Sequence, residues 1–303
     1  MKLIIQIPCY NEEQTLPQTI ADIPREIDGI DKVEILIIDD GSSDRTTEVA
    51  RELGVDHVIN NKHNIGLARS FRIGLDACLK AGADIIVNTD GDNQYCGEDI
   101  PKLIHPILAG SADIVIGDRE TSKISHFSKT KKALQWFGSA IVRKLAGINV
   151  PDAVSGFRAF SRDAALNLNI VSAYSYTIES IIQAGKKNMS VEHIPVRTNP
   201  VTRKSRLFHS IPAFVQNSGI TMVRMYAMYQ PLRVFFYIGT ILSIIGLIPV
   251  VRFIFVYFTE GGAGHIQSLI IGVLLLLIGF IVYMVGMLAD LISFNRQLIE
   301  MML

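Results

Sequence analysis

The sequence predicts an α/β domain built on a mostly parallel sheet, followed by two membrane-spanning helices. Three observations predict it. Short apolar runs alternate with helical patterns through residues 1–120, polar motifs close three of those runs, and residues 234–251 and 266–289 carry no charged side chain. Strands that alternate with helices give a parallel sheet covered on both faces. A helix needs ~20 apolar residues to cross the bilayer core, so both uncharged runs qualify.

Residues 3–7 read as a short buried strand and 33–38 as a second, followed by a helix over 45–53 that Ser43 or Asp44 can cap. Residues 57–60 form a third strand, 67–81 a helix, 83–87 a fourth strand and 114–116 another. In such sheets ligands bind outside the carboxyl ends of the strands. Pro8-Cys9-Tyr10-Asn11-Glu12-Glu13, Asp39-Asp40-Gly41-Ser42-Ser43-Asp44 and the run Asp90-Gly91-Asp92-Asn93-Gln94 all lie at such ends. A dinucleotide fold is disfavoured, because no Gly-x-Gly-x-x-Gly follows the first strand. Asp90 and Asp92 sit one residue apart at the end of an extended segment, where alternation with period two points both carboxylates the same way. Two packed like charges repel and call for a cation between or beside them. Hard oxygen ligands favour Mg²⁺ or Mn²⁺, and Mg²⁺ keeps positions open for substrate phosphates.

Lys+Arg and Asp+Glu balance at 29 each, so charge gives no argument for nucleic acid as a partner. The mean hydropathy of +0.31 is high for a soluble protein, and the excess lies in the last quarter of the chain. Cys9, Cys78 and Cys96 have neither metal-site spacing nor a disulfide framework, which fits a reducing compartment. The histidines form no cluster with metal-site spacing. Residues 1–9 lack the basic start and small-residue cleavage site of a signal peptide.

Between the two spans, residues 259–265 hold three glycines and no Lys or Arg, whereas Arg224 and Arg233 flank the first span and Arg296 follows the second. The positive-inside rule then puts the α/β domain and both termini in the cytoplasm of an integral membrane protein. Arg252, near the far end of the first span, is expected to snorkel to the opposite interface. Gly239, Gly246, Gly272, Gly279 and Gly286 would permit close helix contact, as in a homo-oligomer held through the membrane helices. Before the spans, apolar residues from Leu207 to Tyr229 recur at helical spacing among Arg203, Lys204, Arg206 and Arg224, the pattern of amphipathic helices at a lipid surface. Residues 127–145 repeat that pattern with Lys129, Lys131, Lys132, Arg143 and Lys144, and packing on the soluble core is an equal reading of both segments. The expected domains are an α/β unit over 1–206, juxtamembrane helices over 207–230 and a two-helix membrane unit over 231–303.

Taken in order and at this spacing, Pro8-x-Tyr10-Asn11-Glu12-Glu13, Asp39 to Asp44, Asn64-x-Gly66 and Asp90-x-Asp92-x-Gln94 resemble family 2 glycosyltransferases with the GT-A fold, whose sheet is Rossmann-like. Asp152-x-x-Ser155-Gly156-Phe157-Arg158 is similar to the subgroup that loads one sugar onto a polyprenyl or dolichyl phosphate. The resemblance implies inverting transfer of one hexose from a UDP- or GDP-sugar to polyprenyl phosphate at the cytoplasmic membrane face. It implies that Pro8, Tyr10, Glu12 and Asp40 bind the donor's nucleoside, and that Asp90, Asp92 and Gln94 hold the metal, Mg²⁺ or Mn²⁺, and the donor diphosphate. Arg119 becomes the cation for the acceptor phosphate, with Lys131, Lys132 and Ser139 beside it, and Arg203 lies in a basic loop over the donor diphosphate. Asp92, Arg119 and Arg203 are then the catalytic set, while Asp152 and Arg158 orient the site. A phosphate monoester is already ionised near pH 7, with a second pKa of ~6, and needs cations to position it rather than a strong base. Two rival readings are a processive polysaccharide synthase and a non-catalytic membrane scaffold on the same fold. The first is disfavoured because Trp136, the only tryptophan, stands outside any Gln-x-x-Arg-Trp motif, the second because the metal and nucleobase residues are present.

Overall fold

The structure, a computed structural model, describes residues 1–120, 129–171, 175–200, 211–261 and 266–302. It divides into two compact units, Met1–Met222 and Val223–Leu303. The first holds a seven-stranded sheet in the order β3-β2-β1-β4-β6-β5-β7. β1 (Lys2–Cys9), β2 (Lys32–Asp39), β3 (His57–Asn60) and β4 (Ile85–Asn88) run parallel, as do β5 (Ile114–Asp118) and β7 (Val191–Pro195). These include all five strands expected from the sequence. Leu3, Ile5, Ile7, Ile35, Ile37, Ile85 and Val87 are buried in one core cluster, and Ile4, Leu36, Ile38 and Ile86 on the other face are buried as well, which is why the central strands read as unbroken apolar runs rather than alternating ones.

α1 (Leu16–Ala21), α2 (Thr46–Glu52), α3 (Leu67–Lys80) and α4 (Ile100–Leu108) fill the connections. Asp44 holds the start of α2, its Oδ1 accepting from the Thr46 N–H at 3.0 Å. α5 (Lys129–Ala146) matches the basic amphipathic segment, and α6 (Arg162–Asn167) and α7 (Tyr176–Lys186) complete this unit with the first part of α8 (Ile211–Tyr229).

Two departures from the sequence reading shape the site. β6 (Arg158–Ser161) lies antiparallel between β4 and β5, with Arg158 opposite both Asn88 and Ile116. A strand running backwards starts where its neighbours end. The motif from Asp152 to Arg158 is thereby delivered to the carboxyl ends of β4 and β5. The second departure concerns Asp90 and Asp92. β4 ends at Asn88, residues 91–92 form a turn, and Asn93 takes a left-handed φ of 54°. Strand alternation therefore does not orient the two carboxylates; the turn does.

At the opposite end of the sheet, Glu34 receives Lys2, Lys32 and His57 at 2.8, 2.6 and 2.7 Å. Burial alone would raise its pKa, but these three donors hold it at about 2. Its contribution is whole above its ordinary pKa and is lost as pH falls through the folded value. Glu34→Gln is accordingly expected to lower the unfolding midpoint near pH 7, and this deficit should shrink as both proteins are taken toward pH 2. A pH-independent deficit in thermal melts would contradict this.

The second unit pairs α9 (Pro231–Glu260) with α10 (Ile266–Met302), preceded by the last turns of α8. Pro231–Thr259 and Ile266–Arg296 are long and apolar enough to cross a membrane, and their outward side chains, such as Phe236, Ile244, Leu274 and Phe280, are exposed. The five glycines face the neighbouring helix of the same chain. A Cβ at Gly239 would lie 3.1 Å from the Gly279 carbonyl, one at Gly246 2.9 Å from that of Gly272, and one at Gly286 2.7 Å from Phe235 Cβ. The glycines that would permit an oligomer thus also permit close packing inside the hairpin.

Candidate active site

Three strand ends interlock to form the site. After β1, Asn11 adopts a left-handed φ of 57°; its N–H donates to Ser42 Oγ at 2.8 Å and its Oδ1 accepts from the Ser43 N–H at 2.7 Å. The Glu12 N–H donates to Thr46 Oγ1 at 2.8 Å, and Glu13 Oε2 accepts from the Arg45 N–H at 3.0 Å. Thr15 Oγ1 bridges Glu12 Oε2 and the Gly91 carbonyl at 2.7 and 2.8 Å, which ties the first motif to the aspartate turn. Pro8 and Glu12 are buried, whereas Tyr10 is 39% exposed, leaving an aromatic face at the strand end.

Asp40 is buried and accepts from Asn61 Nδ2 at 3.0 Å and from the Ile65 and Gly66 N–H groups at 2.9 Å. It therefore pins the loop that opens α3 to the end of β2. Gly41 makes this approach feasible: its φ is 72°, and a Cβ there would fall 2.6 Å from the His63 carbonyl carbon. Asp39 is turned to Ser42 and Thr47.

The carboxylates of all three motifs influence one probe within the site. Burial first, then the charges of Glu12, Asp39, Asp90 and Asp44, raise the Cys9 thiol well above its ordinary pKa. Cys9 is thus a protonated packing residue, and the carboxylates around it act on it in the same direction as burial. Asp90, Asp92 and Gln94 are half-buried, and Asp92 Oδ1 accepts from the Gln94 N–H at 3.2 Å. Among the described residues no trio of His, Cys, Asp or Glu is close enough to enclose a metal by itself. Two carboxylates and an amide oxygen fit a hard divalent ion whose remaining positions are filled by phosphate oxygens and water.

Across the turn stands a cation. Arg119, just beyond β5, makes a two-pronged contact with Asp152, Nε to Oδ2 at 2.7 Å and Nη2 to Oδ1 at 3.0 Å. Their side chains are 9% and 1% exposed. Burial would lower the arginine's pKa, but Tyr95, Asp152 and Asp90 raise it overall; burial would raise Asp152, and Arg119 holds it below the usual carboxylate range. Both groups are therefore charged. Arg158 is fully buried and donates to the carbonyls of Ala153, Ser155 and Thr177 and to Ser180 Oγ at 2.7–2.9 Å. Burial depresses its pKa to about 10, and it remains the clamp of the 152–156 turn at neutral pH. Ser139 is also fully buried, its Oγ accepting from the Ala153 N–H at 3.3 Å, so its hydroxyl serves this same turn. Lys131 and Lys132 lie on α5, but their side chains are outside the described residues, as is all of Arg203.

Sequence reasoning missed Asn88, Tyr95 and Tyr176. Asn88 and Tyr95 flank the aspartate motif, and Tyr176 opens a helix in which only Glu179 hinted at a site.

Fold and site together define a glycosyltransferase of the GT-A type, an enzyme. Residues 4–168 match the model for Glycosyl transferase family 2, more than half of the chain, and the chain belongs to that family. It is 28% identical over 207 residues to an undecaprenyl-phosphate mannosyltransferase of Micrococcus luteus, covering 65% of this chain and 83% of the relative. It is 31% identical over 213 residues to a UDP-N-acetylglucosamine–dolichyl-phosphate N-acetylglucosaminyltransferase of Methanococcus voltae, covering 63% and 83%. In fold it is similar to glucosyl-3-phosphoglycerate synthase from Mycobacterium tuberculosis, solved with Mn²⁺ and UDP-glucose, with a TM-score of 0.55 at 20% identity over 74% of this chain and 78% of the other.

Proposed function

We propose that this enzyme transfers one hexose from a nucleotide-diphosphate sugar to a polyprenyl or dolichyl phosphate, with inversion, at the cytoplasmic face of a membrane. The observation that carries the reading is the pairing of opposite poles beyond the carboxyl ends of β4 and β5: Asp90 and Asp92 on one loop, and Arg119 on a buried carboxylate fork. The relatives above act, by their names, on lipid phosphates, and two apolar helices follow the catalytic unit.

Asp90, Asp92 and Gln94 would hold Mg²⁺ or Mn²⁺, which, when bound, neutralises the departing nucleotide diphosphate. Tyr10, with Pro8 and Glu12, would receive the nucleobase, while Asp40 acts through the loop it pins. Arg119 would orient the acceptor phosphate, helped by Lys131 and Lys132. Asp152 is held ionised, with both oxygens engaged by Arg119, and so is a poor proton acceptor. That suits an acceptor whose oxygen is already anionic and needs no base. Arg203 would close over the diphosphate and keep water out. The proposed division of labour is catalysis by 1–206, lipid-surface contact by 207–230 and anchoring by 231–303. Arg224, Arg233 and Arg296 favour the cytoplasmic side for the catalytic unit.

The test is lipid-phase label from purified protein in detergent, offered radiolabelled UDP-glucose, UDP-N-acetylglucosamine or GDP-mannose with polyprenyl phosphate and Mn²⁺. One donor should yield product, and EDTA should reduce its rate at least about a hundredfold, equivalent to about 3 kcal/mol of transition-state stabilisation. Folded, nucleotide-binding protein that labels no lipid from any donor would refute the reading.

A further inference from the structure

A buried polar cluster lies directly beneath Asp90 and has no role in the chemistry above. Asn88, the last residue of β4, is fully buried. Its Oδ1 accepts from Gln6 Nε2 at 3.0 Å, and its Nδ2 donates to the Gly156 carbonyl and to the Tyr176 hydroxyl, each at 2.9 Å. Every polar atom of the amide is engaged, which fixes its orientation. The Gly156 N–H donates to the Tyr95 hydroxyl at 2.9 Å. Both peptide groups flanking Gly156 are thus held by buried side chains. The two tyrosines are themselves rigid: Tyr176 stacks on Phe71 with ring centroids 4.0 Å apart, and Tyr95 on Phe157 at 5.1 Å.

What this cluster holds so firmly is a surface for one carboxylate. A Cβ on Gly156 would lie 3.0 Å from each oxygen of Asp90 and 2.9 Å from the Tyr176 hydroxyl. A methyl there would crowd both the carboxylate and the hydroxyl. Asp90 itself lies two residues beyond the end of its strand, just before the 91–92 turn, where the backbone ladder no longer constrains it. A metal-binding carboxylate outside the strand ladder needs support from its surroundings to hold its geometry.

We propose that Asn88, Gly156 and Tyr176 are positioning residues that seat the Asp90 carboxylate for the divalent cation of the donor complex. The proposal rests on the glycosyltransferase reading of the site, in that Asp90 binds that cation.

The test measures cation binding without turnover. Free Mn²⁺ is followed by electron paramagnetic resonance as the full chain in detergent is titrated, with UDP or GDP present. Gly156→Ala should weaken Mn²⁺ binding at least tenfold, and Tyr176→Phe, which keeps the ring stack, about threefold. Asp90→Asn should weaken it as well, and in that background Gly156→Ala should add less than a twofold further change, because the methyl acts through the carboxylate. A merely structural glycine would act independently of Asp90. Wild-type Mn²⁺ affinity in folded Gly156→Ala, or full additivity with Asp90→Asn, would overturn the proposal. Should Gly156→Ala not fold, Tyr176→Phe decides alone, and wild-type affinity there overturns it. Absence of Mn²⁺ binding by the wild type with either nucleotide would instead remove the metal reading itself, and the proposal with it.

Discussion

Asp152→Ala is expected to destabilise the catalytic unit by about 3–5 kcal/mol, the usual cost of leaving one partner of a buried ion pair alone. The reason is the location of the arginine. Arg119 is 9% exposed, and Asp152 accepts from it with both oxygens. Removing the carboxylate leaves a guanidinium that cannot neutralise itself at any accessible pH. In a unit of this size the loss corresponds to a drop in unfolding midpoint on the order of 10 °C. Because Arg119 depresses the pKa of Asp152 against the effect of burial, the pair's contribution is complete above the ordinary carboxylate pKa, about 4, and fades as pH falls through the folded value. The double variant Arg119→Met/Asp152→Leu separates stability from chemistry. Apolar replacements of buried ion pairs are often neutral or better, so its midpoint should recover most of the loss. Transfer should not recover, since the proposed acceptor cation is gone. A double variant that is stable and fully active would eliminate Arg119 from the reaction; a single variant with the wild-type midpoint would show that the fork contributes little.

The sequence made the parallel half of the sheet legible because β1, β2 and β4 are buried on both faces and appear as unbroken apolar runs bounded by polar motifs. The antiparallel strand was hidden for the converse reason. β6 contributes only Arg158-Ala159-Phe160-Ser161, whose arginine is as buried as its phenylalanine, and no periodic pattern marks such a segment. The same limit governs the site. Motif order identified which residues gather at the strand ends, but their division of labour depends on partners distant in sequence. The resemblance assigns Asp40 to the donor's nucleoside, yet its three side-chain hydrogen bonds go to residues 61–66. Ser139 sits among lysines on a basic helix, and its hydroxyl is turned inward to Ala153. Gly156 meets Asp90 only because an antiparallel strand turns back beside β4. Local propensity does not encode a contact of this kind; the complete topology does.

Asp92→Asn should abolish transfer while leaving the fold intact, and this contrast is what makes it the sharper probe of the two aspartates. Asp92 is half-buried in the turn and accepts from the Gln94 N–H through Oδ1. An asparagine retains an oxygen in that place, so the turn keeps its hydrogen bond and the unfolding midpoint should move by no more than about 2 °C. The substitution removes one unit of negative charge from the proposed metal position. If Asp92 and Asp90 together hold the cation that stabilises the leaving diphosphate, the rate should fall about a thousandfold, or about 4 kcal/mol. Asp90 cannot give so clean an answer. A Cβ at Gly156 would lie 3.0 Å from each of its oxygens, so its carboxylate is held by close packing, which a change of charge at Asp92 leaves alone. The measurement is initial-rate transfer at saturating donor across a range of Mn²⁺ concentrations. Partial rescue at high Mn²⁺ would place the loss in cation affinity; a uniform loss at every concentration would place it in the chemical step. Wild-type turnover in Asp92→Asn would remove this carboxylate from the metal site and leave Asp90 and Gln94 to account for it.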